Sequence, residues 1–129
     1  MVYTYNYNTA YSGPAMPVVP LEIGNNTKTE KWFTVQALVN SGADATMIPI
    51  RYLRQLGVEP VNKRRVVDAS GISYSVEVYV VALRVGPYYH PAVGILANRQ
   101  SKDVLLGRNV LNHLIVTLNG LAYTVEISD

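Results

Sequence analysis

The sequence predicts an all-β barrel or sandwich, on three observations. Short apolar runs rich in Val, Ile, Tyr and Thr recur along the chain, turn residues separate them, and only two short stretches carry a helical pattern. No internal repeat is evident. At 129 residues the chain is one domain by length, with a modest core that further burial through dimerisation would help. A hydrophobic fraction of 49% with 16% charged residues argues against disorder.

Residues 1–16 stand apart from the rest. Four of the ten tyrosines lie in the first eleven residues, alternating with Thr and Asn until Ser12-Gly13-Pro14 breaks the pattern. This reads as a flexible, loosely docked Tyr/Asn-rich tail; the alternation also fits an edge strand, and a removable pro-segment is a third reading. The folded domain is expected over 17–129. Val19 to Ile23 contains Pro20 and belongs at a sheet edge or strand start. Asn25-Asn26 marks a turn before the strand Trp32 to Val39, whose Phe33, Val35, Ala37 and Val39 share one face. A second short strand follows at Ala45 to Ile48. Pro49 opens a helical turn over Ile50 to Leu56, which Gly57 closes. Val66-Val67 and Tyr74 to Leu83 flank Asp68-Ala69-Ser70-Gly71-Ile72-Ser73, a hairpin with a glycine at its tip. Ala92 to Leu96 and Val104 to Leu106 are further strands, Arg108 to Leu114 is a short C-terminal helix, and Ile115 to Ile127 folds back about Asn119-Gly120.

Several function classes drop out on composition. With no cysteine, disulfides, thiol catalysis and thiolate metal sites are excluded, and with only His90 and His113 no metal site is expected. No cofactor is expected either. The net charge of +2 is too small for a phosphate-binding surface, and Lys63-Arg64-Arg65 reads as a solvated turn, so nucleic acid is not an expected partner. No apolar run reaches membrane-span length and no leader pattern opens the chain, so no membrane partner is expected and the cytoplasm is the default location. Met1 at the head of a self-contained chain reads as a cellular rather than a viral setting.

The chemistry concentrates in two segments. The first is Ala37-Leu38-Val39-Asn40-Ser41-Gly42-Ala43-Asp44-Ala45-Thr46, an apolar strand running through a tight glycine loop into another strand. The second is Asp103-Val104-Leu105-Leu106-Gly107-Arg108-Asn109, a short apolar strand leading into a helix. Together, in this order and with the hairpin between them, they resemble the retropepsins, the retroviral-type aspartic proteases. That family carries Asp-Thr-Gly or Asp-Ser-Gly followed by Ala, and Gly-Arg-Asn or Gly-Arg-Asp near the C-terminus. The resemblance covers roughly residues 17–129 and fails at one position, since Asn40 stands where the family has its catalytic aspartate.

The resemblance implies a single-lobe acid-protease β-barrel with a flap hairpin. Because one chain holds one loop, it also implies a homodimer with the site on its two-fold axis. Two facing carboxylates would share one proton and activate water against an extended peptide or protein substrate. By the family's register Ser41 would supply a hydroxyl across the axis, and Gly42 would admit substrate backbone. Asp44 would pair with Arg108 and accept from substrate backbone, although the pair could equally serve only as a brace. Met47, Leu105 and Ile72 would line side-chain pockets beneath the Ser70-Gly71 tip, with Thr46, Arg108 and Asn109 bracing the loop.

An amide at position 40 accepts no proton from water, so the chain as it stands is expected to be inactive. Two explanations are open. One is an inactive Asp-to-Asn form of a protease, the near-isosteric change an experimenter would choose; the other is a natural pseudoprotease acting as a peptide-binding or dimeric interaction module. A β-barrel interaction module of other ancestry, in which Asn-Ser-Gly is an ordinary turn, is a third reading. A serine hydrolase built on Ser41 is not supported, since the Gly-x-Ser-x-Gly elbow is missing.

Overall fold

The computed structural model describes the backbone of residues 1–129 and every side chain except those of Lys28, Thr29 and Glu30. Its ten strands and two helices run in the order β1 (Val2–Asn6), β2 (Val18–Asn25), β3 (Lys28–Val39), β4 (Met47–Pro49), α1 (Ile50–Leu56), β5 (Asn62–Val67), β6 (Ser73–Val85), β7 (Tyr88–Asn98), β8 (Val104–Leu106), α2 (Arg108–Leu111), β9 (Ile115–Asn119) and β10 (Thr124–Ser128).

Seven strands form one sheet in the order β2-β3-β8-β4-β7-β6-β5, and β2 also pairs with β6 through Glu22–Arg84, Ile23–Leu83 and Gly24–Ala82. That second pairing closes six of the strands into a barrel, leaving β5 outside as the outer strand of the β5–β6 hairpin. Closure follows from the alternation of each strand. Val19, Leu21 and Ile23 on β2, Val81 and Leu83 on β6 and Ile95 on β7 point inward and are almost wholly buried. On β3, Phe33, Val35 and Val39 pack against this core together with the buried Ala37. Truncating one of the large residues, Leu106 for instance, would cost about 2–5 kcal/mol in lost transfer energy and cavity.

Helix α1 plugs one end of the barrel with the buried Leu53 and Leu56. Gly57 ends it in a left-handed conformation, and the buried Asn25 donates from Nδ2 to the Leu56 carbonyl at 3.0 Å. That bond satisfies a helix-end acceptor that burial would otherwise leave unpaired.

Four expectations change. Val2–Asn6, read as part of a loosely docked tail, is strand β1, paired antiparallel with β10 from Val2–Ser128 to Asn6–Thr124. Tyr7 stacks on Tyr123 with ring centroids 5.7 Å apart. The alternating tyrosines thus serve an edge strand of a small β1-β10-β9 sheet. Lys63-Arg64-Arg65 is not a turn but lies within β5, because it pairs with the long apolar strand β6 across the β5–β6 hairpin. The Asn119-Gly120 turn is a four-residue loop over 120–123, since Asn119 pairs with Thr124; the left-handed residue is Tyr123, and Asn119 Oδ1 accepts from Ala122 N–H at 3.0 Å. The C-terminal helix stops at Leu111 and continues only as tight turns to Leu114.

Strand β7 also begins earlier than its sequence suggests. Gly86-Pro87 forms a two-residue turn joining Val85 to Tyr88, and Pro91 sits where two residues of β7 oppose one of β6. A bulge tolerates the missing N–H, which is why a proline there does not end the strand.

Candidate active site

The loop over residues 40–46 joins β3 to β4, yet these two strands are not neighbours. Strand β8 lies between them, parallel to β3 through Ala37–Val104 and Val39–Leu106 and antiparallel to β4 at Met47–Leu105. The loop must therefore arch over the end of β8, where the chain turns through Gly107 into α2. This crossing is sewn with backbone bonds: Asn40 N–H donates to Leu106 O at 3.0 Å and Arg108 N–H to Ala43 O at 2.9 Å. Gly107 permits it by close approach, since a Cβ there would stand 2.4 Å from the Ala45 carbonyl oxygen.

Thr46 is fully buried and closes the crossing from inside. Its hydroxyl donates to Asn109 Oδ1 at 2.8 Å and accepts from Gly107 N–H at 3.1 Å, while its own N–H donates to the same Asn109 oxygen at 3.0 Å. Asn109 completes the network by donating from Nδ2 to Gly94 O at 2.9 Å. Every polar atom of this brace is thus used, the condition under which buried polar groups rigidify a fold instead of weakening it.

At the crest of the arch Asn40 is half-buried and Ser41 and Gly42 are exposed. Asn40 Oδ1 accepts from Gly42 N–H at 3.0 Å, a bond an aspartate carboxylate would accept equally well. Arg108 does not pair with Asp44, as the resemblance led us to expect. Its Nη1 donates to Ser41 O at 2.7 Å, and Asp44 instead forms an ion pair with Arg64 of β5 at 2.8 Å. The reason is the register of the hairpin, which brings Arg64 to the loop, while Arg108 at the start of α2 turns to the loop's own carbonyl. Both partners of the Asp44–Arg64 pair are about half exposed or more, at 46% for Arg64 and 65% for Asp44, so it stabilises the fold by no more than about 1 kcal/mol.

The β5–β6 hairpin leans over this loop. Between them lies a cleft of about 390 Å³ lined by Gly42, Ala43, Asp44, Ala45, Met47 and Arg108 below and by Val66, Val67 and Tyr74 above, with Leu96 at the side. Of the residues expected to face substrate, Asp44 and Met47 are here. Leu105 sits beside Met47 in register but outside the lining, and Ser70, Gly71 and Ile72 form an exposed tip clear of it. Val66, Val67, Tyr74 and Leu96 were missed; the signal for the hairpin residues was alternation along β5 and β6, legible only once their register is fixed.

The tip is organised by one carboxylate. Asp68 accepts from the N–H groups of Ser70 and Ile72 and from the Ser70 hydroxyl at 2.6–3.0 Å, and Gly71 takes a positive φ of 86°. These donors, the Ser70 hydroxyl first and the Ile72 amide next, hold the Asp68 carboxyl below the usual aspartate range. A second cavity of about 430 Å³ shares Met47 and Tyr74 with the cleft and adds Lys63 and the Glu77–Arg99 ion pair. His90 accepts from Ala92 N–H and packs with Tyr88 and His113, with no bond to Ser41.

One lobe, closed as a barrel and carrying one strand–loop–strand crest stitched to a Gly-Arg-Asn turn beneath a β-hairpin, is the architecture of a single-lobe acid protease. Comparison with known proteins narrows this class. The chain belongs to the family described as gag-polyprotein putative aspartyl protease, whose profile matches residues 30–113. Its fold is similar to the crystal structure of a retropepsin-like aspartic protease from Rickettsia conorii, with a TM-score of 0.61 at 10% identity, over 98% of this chain and 91% of that one. At such identity the likeness is one of fold. Among curated proteins nothing matches the sequence.

Proposed function

We propose that this chain is one half of a homodimeric retropepsin-type endopeptidase, and that Asn40 occupies the catalytic aspartate position and leaves this form without turnover. The observation that carries the reading is the intact brace around an amide. Thr46, Gly107, Arg108 and Asn109 hold the crest in place, and the bond from Gly42 N–H to Asn40 Oδ1 suits a carboxylate as well as an amide.

In the active arrangement two such crests face each other, one on each chain. One carboxylate takes a proton from water as the other donates to the peptide carbonyl, and like charges ~3 Å apart keep the pair singly protonated. General acid–base help of this kind contributes about 10²–10⁴ in rate. Two asparagines supply neither base nor shared proton. An extended peptide fits the cleft beneath the hairpin, where main-chain bonds align it and alternate side chains meet Met47, Val66 and Tyr74. Dimerisation is supported by the single loop per chain and by strand β9. Its outer edge is unpaired in the β1-β10-β9 sheet, and Ile115, Leu118 and Leu121 along and beyond it are exposed.

The test compares Asn40→Asp with the unaltered chain for peptide cleavage from acidic to neutral pH, with a statine-type inhibitor as control and sedimentation to follow dimer formation. Inhibitor-sensitive cleavage by the aspartate variant alone supports the reading. Folded dimers inactive in both forms move the assignment to a non-catalytic peptide-binding module, the alternative that Asn40 itself favours.

A further inference from the structure

The two amides of the crest are held very differently. Asn109 is tied on both sides, its Oδ1 accepting from Thr46 twice and its Nδ2 donating to Gly94 O. The Asn40 side chain has one bond, from Gly42 N–H to Oδ1, although the Asn40 backbone donates to Leu106 O and accepts from Ala43 N–H. Among the described residues neither Asn40 Nδ2 nor the backbone N–H of Ser41 has a protein partner. The Gly42 bond withdraws electron density from the side-chain carbonyl and makes Cγ more electrophilic, while the NH₂ group stays free to depart. Ser41 is exposed, so its peptide lies in a loop open to solvent base. The negative charge that develops on Asn40 Oδ1 during such an attack meets the Gly42 N–H already bonded to it at 3.0 Å.

We propose that Asn40 is a self-converting residue: attack of the Ser41 backbone nitrogen on its side-chain amide turns it into aspartate, so the chain generates its own catalytic carboxylate. The proposal rests on the reading of position 40 as the protease's catalytic position. In the first step the bond from Ser41 N to Asn40 Cγ forms, the Cγ–Nδ2 bond breaks, and ammonia leaves with the proton that Ser41 N gave up. In the second, water adds to Cγ of the cyclic imide, the Cγ–N bond breaks, and the nitrogen regains its proton. The net change is one water consumed and one ammonia released, with no oxidation. The product keeps its acceptor position for Gly42 N–H, and the braced crest favours reopening at Cγ over reopening at the backbone carbonyl, which would give isoaspartate and lengthen the loop.

The test is prolonged incubation of the full chain in mildly alkaline buffer, with site-resolved mass spectrometry and peptidase assays on the same samples. Asn119, in an exposed Asn-Gly pair, serves as the internal reference for conversion and Asn109 as the restrained one. Conversion at Asn40 is expected to exceed that at Asn109 by at least about tenfold, the effect of a barrier lower by about 1.4 kcal/mol. Inhibitor-sensitive cleavage should grow in proportion to aspartate at position 40. The Asn40→Gln chain, which must close a larger ring, should stay unconverted and inactive. Asn40 intact in molecules whose Asn119 has converted overturns the proposal, as does isoaspartate as the sole product. Conversion to aspartate with the Asn40→Asp variant itself inactive supports the chemistry and overturns the protease reading instead.

Discussion

The crest and the β5–β6 hairpin face each other across one cleft, and they are built on opposite principles. The crest is held from beneath by the buried Thr46 and by Gly107 and Asn109, with a partner for every polar atom of the Thr46 and Asn109 side chains. Beyond its β5–β6 ladder, the hairpin is held by an exposed carboxylate at its tip and by an exposed ion pair from Arg64 to Asp44. On the proposed reading, chemistry at the crest would require fixed geometry, whereas admission of a peptide would require the hairpin to yield. The fold accordingly puts its low-dielectric, fully satisfied bonds on one side and its water-screened bonds on the other.

The sharpest way to break this contrast is Gly107→Ala. The new Cβ would meet backbone of Ala45 at 2.4–2.5 Å, and backbone on both sides leaves no side chain to give way. A loss of more than about 3 kcal/mol, or failure to fold, is expected in denaturant melts. A near-normal midpoint would show that the crossing of loop and turn is looser than described. Thr46→Val comes next, because it removes the hydroxyl from the network and strands the Gly107 N–H. It should cost about 1–3 kcal/mol and lower the rate of an Asn40→Asp background through misplacement of the crest.

Arg108→Ala should cost only about 1 kcal/mol, since its guanidinium bonds an exposed loop carbonyl and neutralises no buried carboxylate. A loss several times larger would mean that a buried charge depends on it. Arg64→Ala should change stability by less than about 1 kcal/mol while altering peptide affinity, and raising the salt concentration should reproduce its effect. The smallest effect is acid loosening of the tip. The Asp68 carboxyl is held below its ordinary range in the folded chain, so the support it lends the tip is full above that range. It fades as pH falls through the lowered folded value. Amide exchange at Ser70 and Ile72 should accelerate over that interval, and Asp68→Asn should abolish the pH dependence.

Much of this was legible in the chain because it depends on near neighbours. The strand before Asn40, the glycine tip of the hairpin and the helix cap at Gly57 follow from apolar period and turn chemistry within a few residues. Missed features were those set by distant partners. Pro91 ends a strand by local rules yet lies at a bulge inside β7, and the tyrosine alternation of residues 1–16 left tail and edge strand both open until β10 was placed beside it. The pairing of Asp44 with Arg64 in place of Arg108 depended on the register of the hairpin, which no local pattern specifies.

By itself the sequence determined the family, the all-β class, the loop over 40–46 and the amide at position 40, because each is written in contiguous residues whose chemistry is local. Tertiary structure decided which arginine meets Asp44, which hairpin residues line the cleft, why position 107 admits only glycine, and that the Asn40 side chain has a single bond. Those facts depend on β8 passing between β3 and β4, a long-range arrangement in which segments some sixty residues apart meet at hydrogen-bond distance.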